Sequence, residues 1–410
     1  MNFELFIAKR IIGSKSYKSS VSAPIIKIGI TAIAIGVVVM LIAISTGLGL
    51  QKKIREKVVA FNGHVIISNY DNNASNESLR PLSINQEFYP EFRTVTDVDH
   101  IQAIVHKFTV IRTETDFEGV FVKGVGQDYN WNYLKDFLIE GELPEYTNDY
   151  SNDVVISQYL ANRLEFKVGD SFQAVFGEDV NSMPRIIKYD IVGIFNSGFQ
   201  DLDQTFIIGH IKHLQRINKW KADEVGHFEV FVNDFEKLDQ TAIQIYQNIP
   251  SLLNATKVST KYATIFEWIK IFDKNTYGII GIMILVAGIN MITALLVLIL
   301  ERTQMVGILK ALGSHSWSIQ KIFLINASYL VGVGLFWGNL IGLSLLFAQQ
   351  KFKLFPLDPS VYYVSEAPVY INIDYIIWLN LGTFVVCLLM LLIPSAIITK
   401  ISAIKAIRFQ

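Results

Sequence analysis

The chain has 410 residues, of which 51% are hydrophobic and only 18% are charged, and its formal net charge at pH 7 is −1. This composition is too apolar for an ordinary water-soluble protein, and a net charge near zero argues against nucleic acid as a partner. The single cysteine, Cys387, excludes an intrachain disulfide. The apolar residues must therefore be concentrated in segments that leave water.

Four long apolar runs meet this requirement, and each contains at least 23 residues. A helix that rises ~1.5 Å per residue needs about 20 residues to cross a hydrocarbon layer of ~30 Å. The first run is longer than the apolar core of a secretory signal, so we interpret it as a retained anchor. We predict four transmembrane helices, over residues 24–50, 277–300, 322–348 and 375–398.

Residues 51–274 separate the first two predicted helices and have the composition of a soluble domain. Several short segments rich in β-branched and aromatic residues predict strands: "HVIIS", "GVFVKGV", "DVVIS", "RIIKYDIVGIF" and "HFEVFV". Two others, "SQYLANRL" and "DFEKLDQTAIQIYQNI", have the apolar spacing of helices. We therefore predict a large α+β domain inserted between the first two membrane helices, joined to them by helical stalks.

Basic residues predict the orientation of the chain in the membrane. They are concentrated in residues 1–20, 301–319 and 399–410, whereas the connection 349–374 has more acidic than basic residues. Short basic loops stay in the cytoplasm, so we place both termini and residues 301–319 there and the α+β domain outside. Residues 1–20 are expected to form an amphipathic elbow helix at the lipid surface, with basic side chains near the headgroups.

Residues 301–319 form a short charged interruption between two membrane helices. Met305, Ile308, Leu309 and Leu312 are spaced at i, i+3, i+4 and i+7, which predicts an amphipathic helix with Gly313 as its terminator. Such a helix is too short to span the membrane. It can lie in the lipid interface or insert its apolar side into a groove of a partner, and the spacing leaves both alternatives open.

The chain has no motif of a known catalytic class. Phosphate-binding loops, zinc-binding patterns and nucleophile elbows are all missing from the sequence. We therefore predict no catalytic residue, no metal site and no directly bound cofactor, and we assign any nucleotide hydrolysis to another chain. Four residues of the second membrane helix are candidates for close helix contacts or for a substrate cavity: Gly278, Gly281, Gly288 and Asn290.

Four further segments resemble those of a known family, the permeases of type VII ABC systems. They are "FIAKRII", "ERTQMVGILKALGSHSWSIQKIFL", "DPSVYYVSEAPV" and "IPSAIITKISAIKAIRF". The second is shared with MacB-like and FtsX-like permeases, whereas "YLANRLEFKVGDSF" and the "YYV" segment look more like the lipoprotein-releasing LolC/LolE group. The resemblance implies a bacterial inner-membrane permease that extracts lipoproteins and passes them to a periplasmic carrier.

The resemblance also implies partners and site residues. The cytoplasmic loop would be a coupling helix that contacts a LolD-like ATPase, which holds ATP and Mg²⁺, in an assembly with a second permease subunit. The coupling pattern falls on Glu301, Arg302, Met305, Gly307, Ile308, Leu309, Lys310, Ala311, Leu312 and Gly313.

A carrier-binding hairpin is the remaining expectation from the resemblance. The stretch "FGEDVNSMPRIIKYDIVGIF" resembles the hairpin of LolC-type members that captures a LolA-like carrier, and its candidate residues are Phe176, Met183, Pro184 and Arg185. LolC-like and LolE-like roles both remain open. The alternatives are MacB-like mechanotransmission for peptide or toxin efflux, and FtsX-like signalling to a cell-wall hydrolase.

Overall fold

The computed structural model describes residues 3–12, 22–70, 76–114, 116–147, 149–177 and 183–400. The chain divides into two compact units. The membrane unit comprises residues 1–51, 269–356 and 366–410, and the soluble unit comprises residues 52–268 and 357–365.

Within the described residues, four helices are long and apolar enough to cross a membrane, which confirms the predicted number. We call them M1 (Ser22–Asn62), M2 (Ala263–Glu301), M3 (Ser316–Phe352) and M4 (Ile373–Ser395). M1 and M2 are longer than the predicted spans because each includes the segment predicted as a stalk. The shorter helices are α1 (Phe3–Ile12), α2 (Gln158–Leu164), α3 (Gln200–Thr205), α4 (Ile211–Ile217), α5 (Leu238–Gln247), α6 (Val258–Lys261), α7 (Thr303–Ala311), α8 (Pro359–Tyr362) and α9 (Ile397–Lys400).

M1 and M3 pack closely along a row of glycines that we call the glycine seam. A Cβ atom added to Gly338 would lie 2.7 Å from the Cβ of Val37 and 2.9 Å from the carbonyl oxygen of Ala34. Only a residue without a side chain lets the two backbones approach so far, as in other small-residue contacts between membrane helices. The seam consists of Gly334, Gly338 and Gly342 of M3, which face Ile33, Val37 and Leu41 of M1.

M3 and M4 meet through a pair of amides. Asn339 Nδ2 donates to Asn380 Oδ1 over 2.6 Å, and Asn380 Nδ2 donates back to Asn339 Oδ1 over 3.0 Å. Each Nδ2 also donates to the carbonyl four residues earlier in its own helix. Both amides are thus satisfied without water, as the hydrocarbon layer requires.

The soluble unit is an α+β domain, as predicted. The strands are β1 (Val65–Asn69), β2 (Leu82–Ser83), β3 (Val98–Arg112), β4 (Phe117–Val125), β5 (Leu138–Gly141), β6 (Asp153–Ser157), β7 (Ser171–Phe176), β8 (Arg185–Phe195), β9 (Phe206–His210), β10 (Glu224–Val225), β11 (His227–Val232) and β12 (Leu253–Lys257).

Ten of these strands form one sheet in the order β12-β1-β11-β3-β4-β9-β6-β8-β5, and β7 pairs with both β3 and β8. Strands β3, β4, β9, β6, β8 and β7 therefore close into a ring, in which two pairings, β4 with β9 and β6 with β8, are parallel. Strand β3 is long enough to pair with β11 near its beginning and with β7 near its end.

Local sequence accounts for the element boundaries. The hydroxyl of Ser157 accepts the N–H of Leu160 and so caps α2, and Asp234 caps the 3-10 turn Phe235–Lys237 that precedes α5. In β7 the buried side chains alternate with exposed or half-buried ones: Phe172, Ala174 and Phe176 are buried, and Ser171, Gln173 and Val175 are not. That alternation is typical of a strand with one face on the core.

Candidate ATPase-docking surface

Helix α7 occupies the loop between M2 and M3. M2 ends at Glu301, Arg302 leaves helical geometry, and the hydroxyl of Thr303 donates to the carbonyl of Leu300 over 2.6 Å. At the other end Gly313 has φ +88°. The N–H of Ser314 donates to the Leu309 carbonyl and that of Gly313 to the Lys310 carbonyl, both over 3.0 Å. This is a Schellman motif, so Gly313 ends the helix as predicted.

The two sides of α7 differ in exposure. Val306, Gly307 and Leu309 are buried, and Leu309 belongs to the apolar core of the membrane unit. Ile308 and Leu312 are 47% and 78% exposed. The predicted apolar stripe is thus divided between the core and the surface, and Met305 is half-buried. We define the docking face as the exposed residues Glu301, Gln304, Ile308, Ala311 and Leu312.

Lys310 joins α7 to α9, the short helix that follows M4. Its Nζ donates to the carbonyl of Ile398 over 2.7 Å and to that of Thr399 over 3.2 Å. The last carbonyls of a helix have no partner within the helix and carry its negative partial charge, which a lysine neutralises. Lys310, one of the coupling residues implied by the resemblance, therefore uses its ammonium group for contacts within its own chain.

The predicted elbow helix, α1, packs against M3. Ala8 and Ile11 lie in the apolar core of the membrane unit, whereas Phe3, Leu5 and Phe6 are exposed. One apolar side of α1 therefore packs on the protein, and a second apolar side is exposed. Residues 13–20 of the predicted elbow, and residues 401–410 of the predicted tail, lie outside the described residues.

The candidate carrier-binding residues lie at the far end of a β-hairpin. Strands β7 and β8 are antiparallel, and Phe176 pairs with Arg185 at the last described position. Phe176 is buried, Met183 is 91% exposed, and Arg185 Nη1 donates to the carbonyl of Arg216 over 2.8 Å. Pro184 is exposed beside them, and residues 178–182 between the strands lie outside the described part of the chain.

The candidate residues of M2 divide into two groups. A Cβ atom on Gly278 or Gly281 would meet no described atom within 4 Å, whereas one on Gly288 would lie 2.2 Å from the sulfur of Met390 in M4. Asn290 Nδ2 donates to the carbonyl of Val286 in its own helix over 2.9 Å. Gly288 thus serves a contact within the chain, and Gly278 and Gly281 lie on an exposed part of M2.

Sequence reasoning missed a polar group that is buried in the soluble unit. Lys123 Nζ lies 2.7 and 2.8 Å from the two carboxylate oxygens of Glu229 and donates to the carbonyl of Phe61 over 2.6 Å. Gln102 donates to Glu229 over 2.9 Å. Burial alone raises the pKa of Glu229, but the ammonium of Lys123 outweighs it and holds the pKa at about 2. An ionised carboxylate therefore lies in the domain core.

Two family models match the chain. The one described as a MacB-like periplasmic core domain matches residues 28–247, more than half of the chain, and the one described as an FtsX-like permease C-terminal region matches residues 277–403. The first covers most of M1 and most of the soluble unit. The second covers the second part of M2, from residue 277, together with α7, M3 and M4, and so includes the docking face.

Among curated proteins, the chain is 20% identical to the lipoprotein-releasing system transmembrane protein LolC of Xylella fastidiosa, over 98% of this chain and 96% of that protein. It is also 20% identical to the LolE protein of Haemophilus influenzae, over 79% of this chain and 77% of that one. Among solved structures, the periplasmic region of MacB from Actinobacillus actinomycetemcomitans is 12% identical. That alignment covers 50% of this chain and 95% of that structure, with a TM-score of 0.34.

Proposed function

This chain belongs to the type VII ABC permeases, which combine a MacB-like periplasmic core domain with an FtsX-like C-terminal region, and we propose that it releases lipoproteins from the inner membrane. Members of the family are transport subunits and not enzymes. The observation that carries the proposal is the similarity to a protein named for lipoprotein release, which runs along 98% of this chain.

The docking face supports the proposed role of α7 as the contact with an ATPase. Ile308 and Leu312 present apolar surface on a helix that is anchored by its other side in the membrane unit. Apolar anchor residues on one face of a helix are typical of helix-in-groove recognition. The family implies an ATPase on a separate chain, and we propose that this chain binds ATP and Mg²⁺ and contacts the docking face.

The proposed orientation follows from the same elements. Arg302 and Lys310 lie in α7 or beside it, and Lys9 and Arg10 lie in α1, so the basic short segments share one side of the membrane. We place α1, α7 and the end of M4 in the cytoplasm and the soluble unit in the periplasm. A second permease subunit would face the exposed part of M2 at Gly278 and Gly281.

Lipoprotein extraction needs an energy source outside this chain. Removing acyl chains from the membrane costs about 0.8 kcal/mol for each methylene group, so several chains exceed what thermal motion supplies. Closure of the ATPase would move α7, and M1 and M2 would carry the motion because each is one helix with residues in both units. The β7–β8 hairpin, with exposed Met183 at its end, is the proposed contact for a periplasmic carrier.

Substitution of Leu312 by aspartate tests the ATPase contact. The side chain is exposed, so Leu312→Asp should leave the fold intact and abolish co-purification of the ATPase, because a charge would enter an apolar groove. Leu354→Asp is the matched control, since Leu354 is 56% exposed in the connection between M3 and M4. ATPase retained by Leu312→Asp, or lost equally from the control, would contradict the docking proposal. Leu309→Asp is unsuitable because Leu309 is buried.

Depletion of the protein in its host tests the transport proposal. Outer-membrane lipoproteins should accumulate in the inner membrane, as fractionation and immunoblotting would record. Correct sorting of lipoproteins during depletion would refute lipoprotein release. A loss of toxin or peptide efflux would then favour the MacB-like alternative, and a defect in cell-wall cleavage the FtsX-like one.

A further inference from the structure

Three side chains from two neighbouring strands converge in the core of the soluble unit. His106 is on β3, and His227 and Glu229 are on β11, which pairs antiparallel with β3. Their exposed fractions are 2%, 8% and 1%. One nitrogen or oxygen atom of each lies within 4.8 Å of the corresponding atoms of the other two. His106 is far from His227 and Glu229 in the sequence, so only the folded chain forms this His-His-Glu cluster.

The imidazoles of the cluster are arranged as metal ligands usually are. His106 Nδ1 lies 3.2 Å from the carbonyl oxygen of Asn76, so Nδ1 carries the proton and Nε2 keeps its lone pair. Within the described part of the chain, Nε2 of His106 and Nε2 of His227 are both buried without a hydrogen-bond partner. A backbone carbonyl that fixes the tautomer of a ligand is the common outer partner of metal-bound histidine.

The carboxylate of Glu229 also has one acceptor position left. An ionised carboxylate offers about four lone-pair positions. Lys123 contacts one position on each oxygen, and Gln102 occupies the second position on Oε2. The remaining position is on Oε1, the oxygen that lies 3.8 Å from Nε2 of His227. Among the described residues, the two Nε2 atoms therefore have no hydrogen-bond partner, Oε1 has an acceptor position left, and the three side chains meet in one small, buried space.

We propose that His106 Nε2, His227 Nε2 and Glu229 Oε1 bind one Zn²⁺ ion. Two imidazoles and a carboxylate are a ligand set typical of zinc, with a fourth position for water. Tetrahedral ligands at ~2.0 Å from zinc lie roughly 3.3 Å from one another. The 3.8 Å between His227 Nε2 and Glu229 Oε1 is close to that value, and all three ligand atoms lie within 4.8 Å of one another. Binding would draw them together by at most about 1.5 Å.

Three protein ligands and a water are the usual pattern of catalytic zinc, but the burial and position of this site assign it a structural role. Lys123 of β4, which contacts Glu229, also binds the carbonyl of Phe61 near the end of M1. A zinc ion between β3 and β11 would hold Glu229 in place and, through Lys123, the end of M1. This role is independent of the transported substrate, so it stands or falls separately from lipoprotein release.

Zinc titration of the purified full-length protein in detergent tests the proposal. The wild type should bind one Zn²⁺ per chain in competition with a chelating dye, and Zn²⁺ should raise its unfolding midpoint. His106→Gln and His227→Gln should each lower the affinity by more than ~100-fold, and Gln102→Leu, which only orients Glu229, by roughly 10–100-fold. His100→Gln is the matched control, because His100 is on β3 outside the cluster.

A second readout separates loss of the ligand from loss of the fold. Co²⁺ bound to the wild type should show the visible absorption of a tetrahedral site, and this spectrum should be missing from His106→Gln even where circular dichroism shows a folded variant. The proposal is overturned if the wild type binds no zinc, or if both histidine variants bind it as the wild type does.

Discussion

The two units of this chain exclude water from their cores by opposite means. The membrane unit closes M1 on M3 with glycines and joins M3 to M4 with neutral amides. The soluble unit buries an ion pair of Lys123 and Glu229, whose side chains are only 2% and 1% exposed. The membrane unit thus joins its helices through neutral amides, whereas the soluble unit contains a buried ion pair.

The difference follows from what surrounds each unit. In lipid, apolar side chains gain nothing by leaving the solvent, so helices associate through close packing and interhelical hydrogen bonds. In water, the burial of apolar surface supplies the stabilisation, and a hydrogen-bonded ion pair can be tolerated inside it. Three substitutions test this contrast, from the largest expected effect to the smallest.

Lys123→Met should cost the soluble unit about 3–5 kcal/mol, because it leaves the carboxylate of Glu229 buried without its counter-charge. Chemical unfolding in detergent, followed by circular dichroism with EDTA present, would measure the loss. The double variant Lys123→Met with Glu229→Leu should recover most of the stability, since apolar residues can replace a buried pair. Arg163→Met, which removes a surface pair with Asp116, should change little. A single variant as stable as the wild type would contradict the role of the ion pair.

Gly338→Leu should destabilise the membrane unit by about 1–3 kcal/mol, because its side chain would overlap Val37 and the backbone of Ala34. The thermal midpoint and monodispersity of the protein in detergent would record the change. Gly332→Leu is the control on the same helix, where an added Cβ would meet no described atom within 4 Å. Equal effects of the two substitutions would mean that M1 and M3 do not meet at the seam.

Asn339→Leu should have the smallest effect, about 0.6–1.7 kcal/mol, since Asn380 keeps its bond to the carbonyl of Ile376. A double-mutant cycle with Asn380→Leu would isolate the coupling between the two amides. Asn290→Leu is the control, because its amide bonds only to its own helix among the described residues. A coupling energy of zero would show that the pair contributes nothing to the contact of M3 with M4.

The long strand β3 shows why part of the soluble unit escaped the sequence analysis. Its segment "VDHIQAIVHKFTVIR" places Gln102 and His106 at positions that face the core. Polar residues at buried positions erase the alternation that reveals a strand. The strands that were predicted, such as β6 and β11, carry apolar residues at most positions and are bounded by turn residues.

The periodicity of α7 was predictable, but not which of its sides meets the protein. Ile308 and Leu309 are adjacent, so both belong to one broad stripe, and only the packing of M3 and M4 buries one and exposes the other. The glycine seam could have been found, because Gly334, Gly338 and Gly342 recur at four-residue intervals. That spacing is the known signal for close helix contact.

The hydrogen bonds of Lys310 attach α7 to a part of the chain other than its neighbours in sequence. By sequence, α7 is attached only to M2 and M3, so a partner that pushes on the docking face would be expected to move those two helices. The bonds from Lys310 to the carbonyls of Ile398 and Thr399 add α9, the short helix after M4, as a third point of attachment. A force on the nine residues of α7 would thereby reach M2, M3 and, through α9, the end of M4.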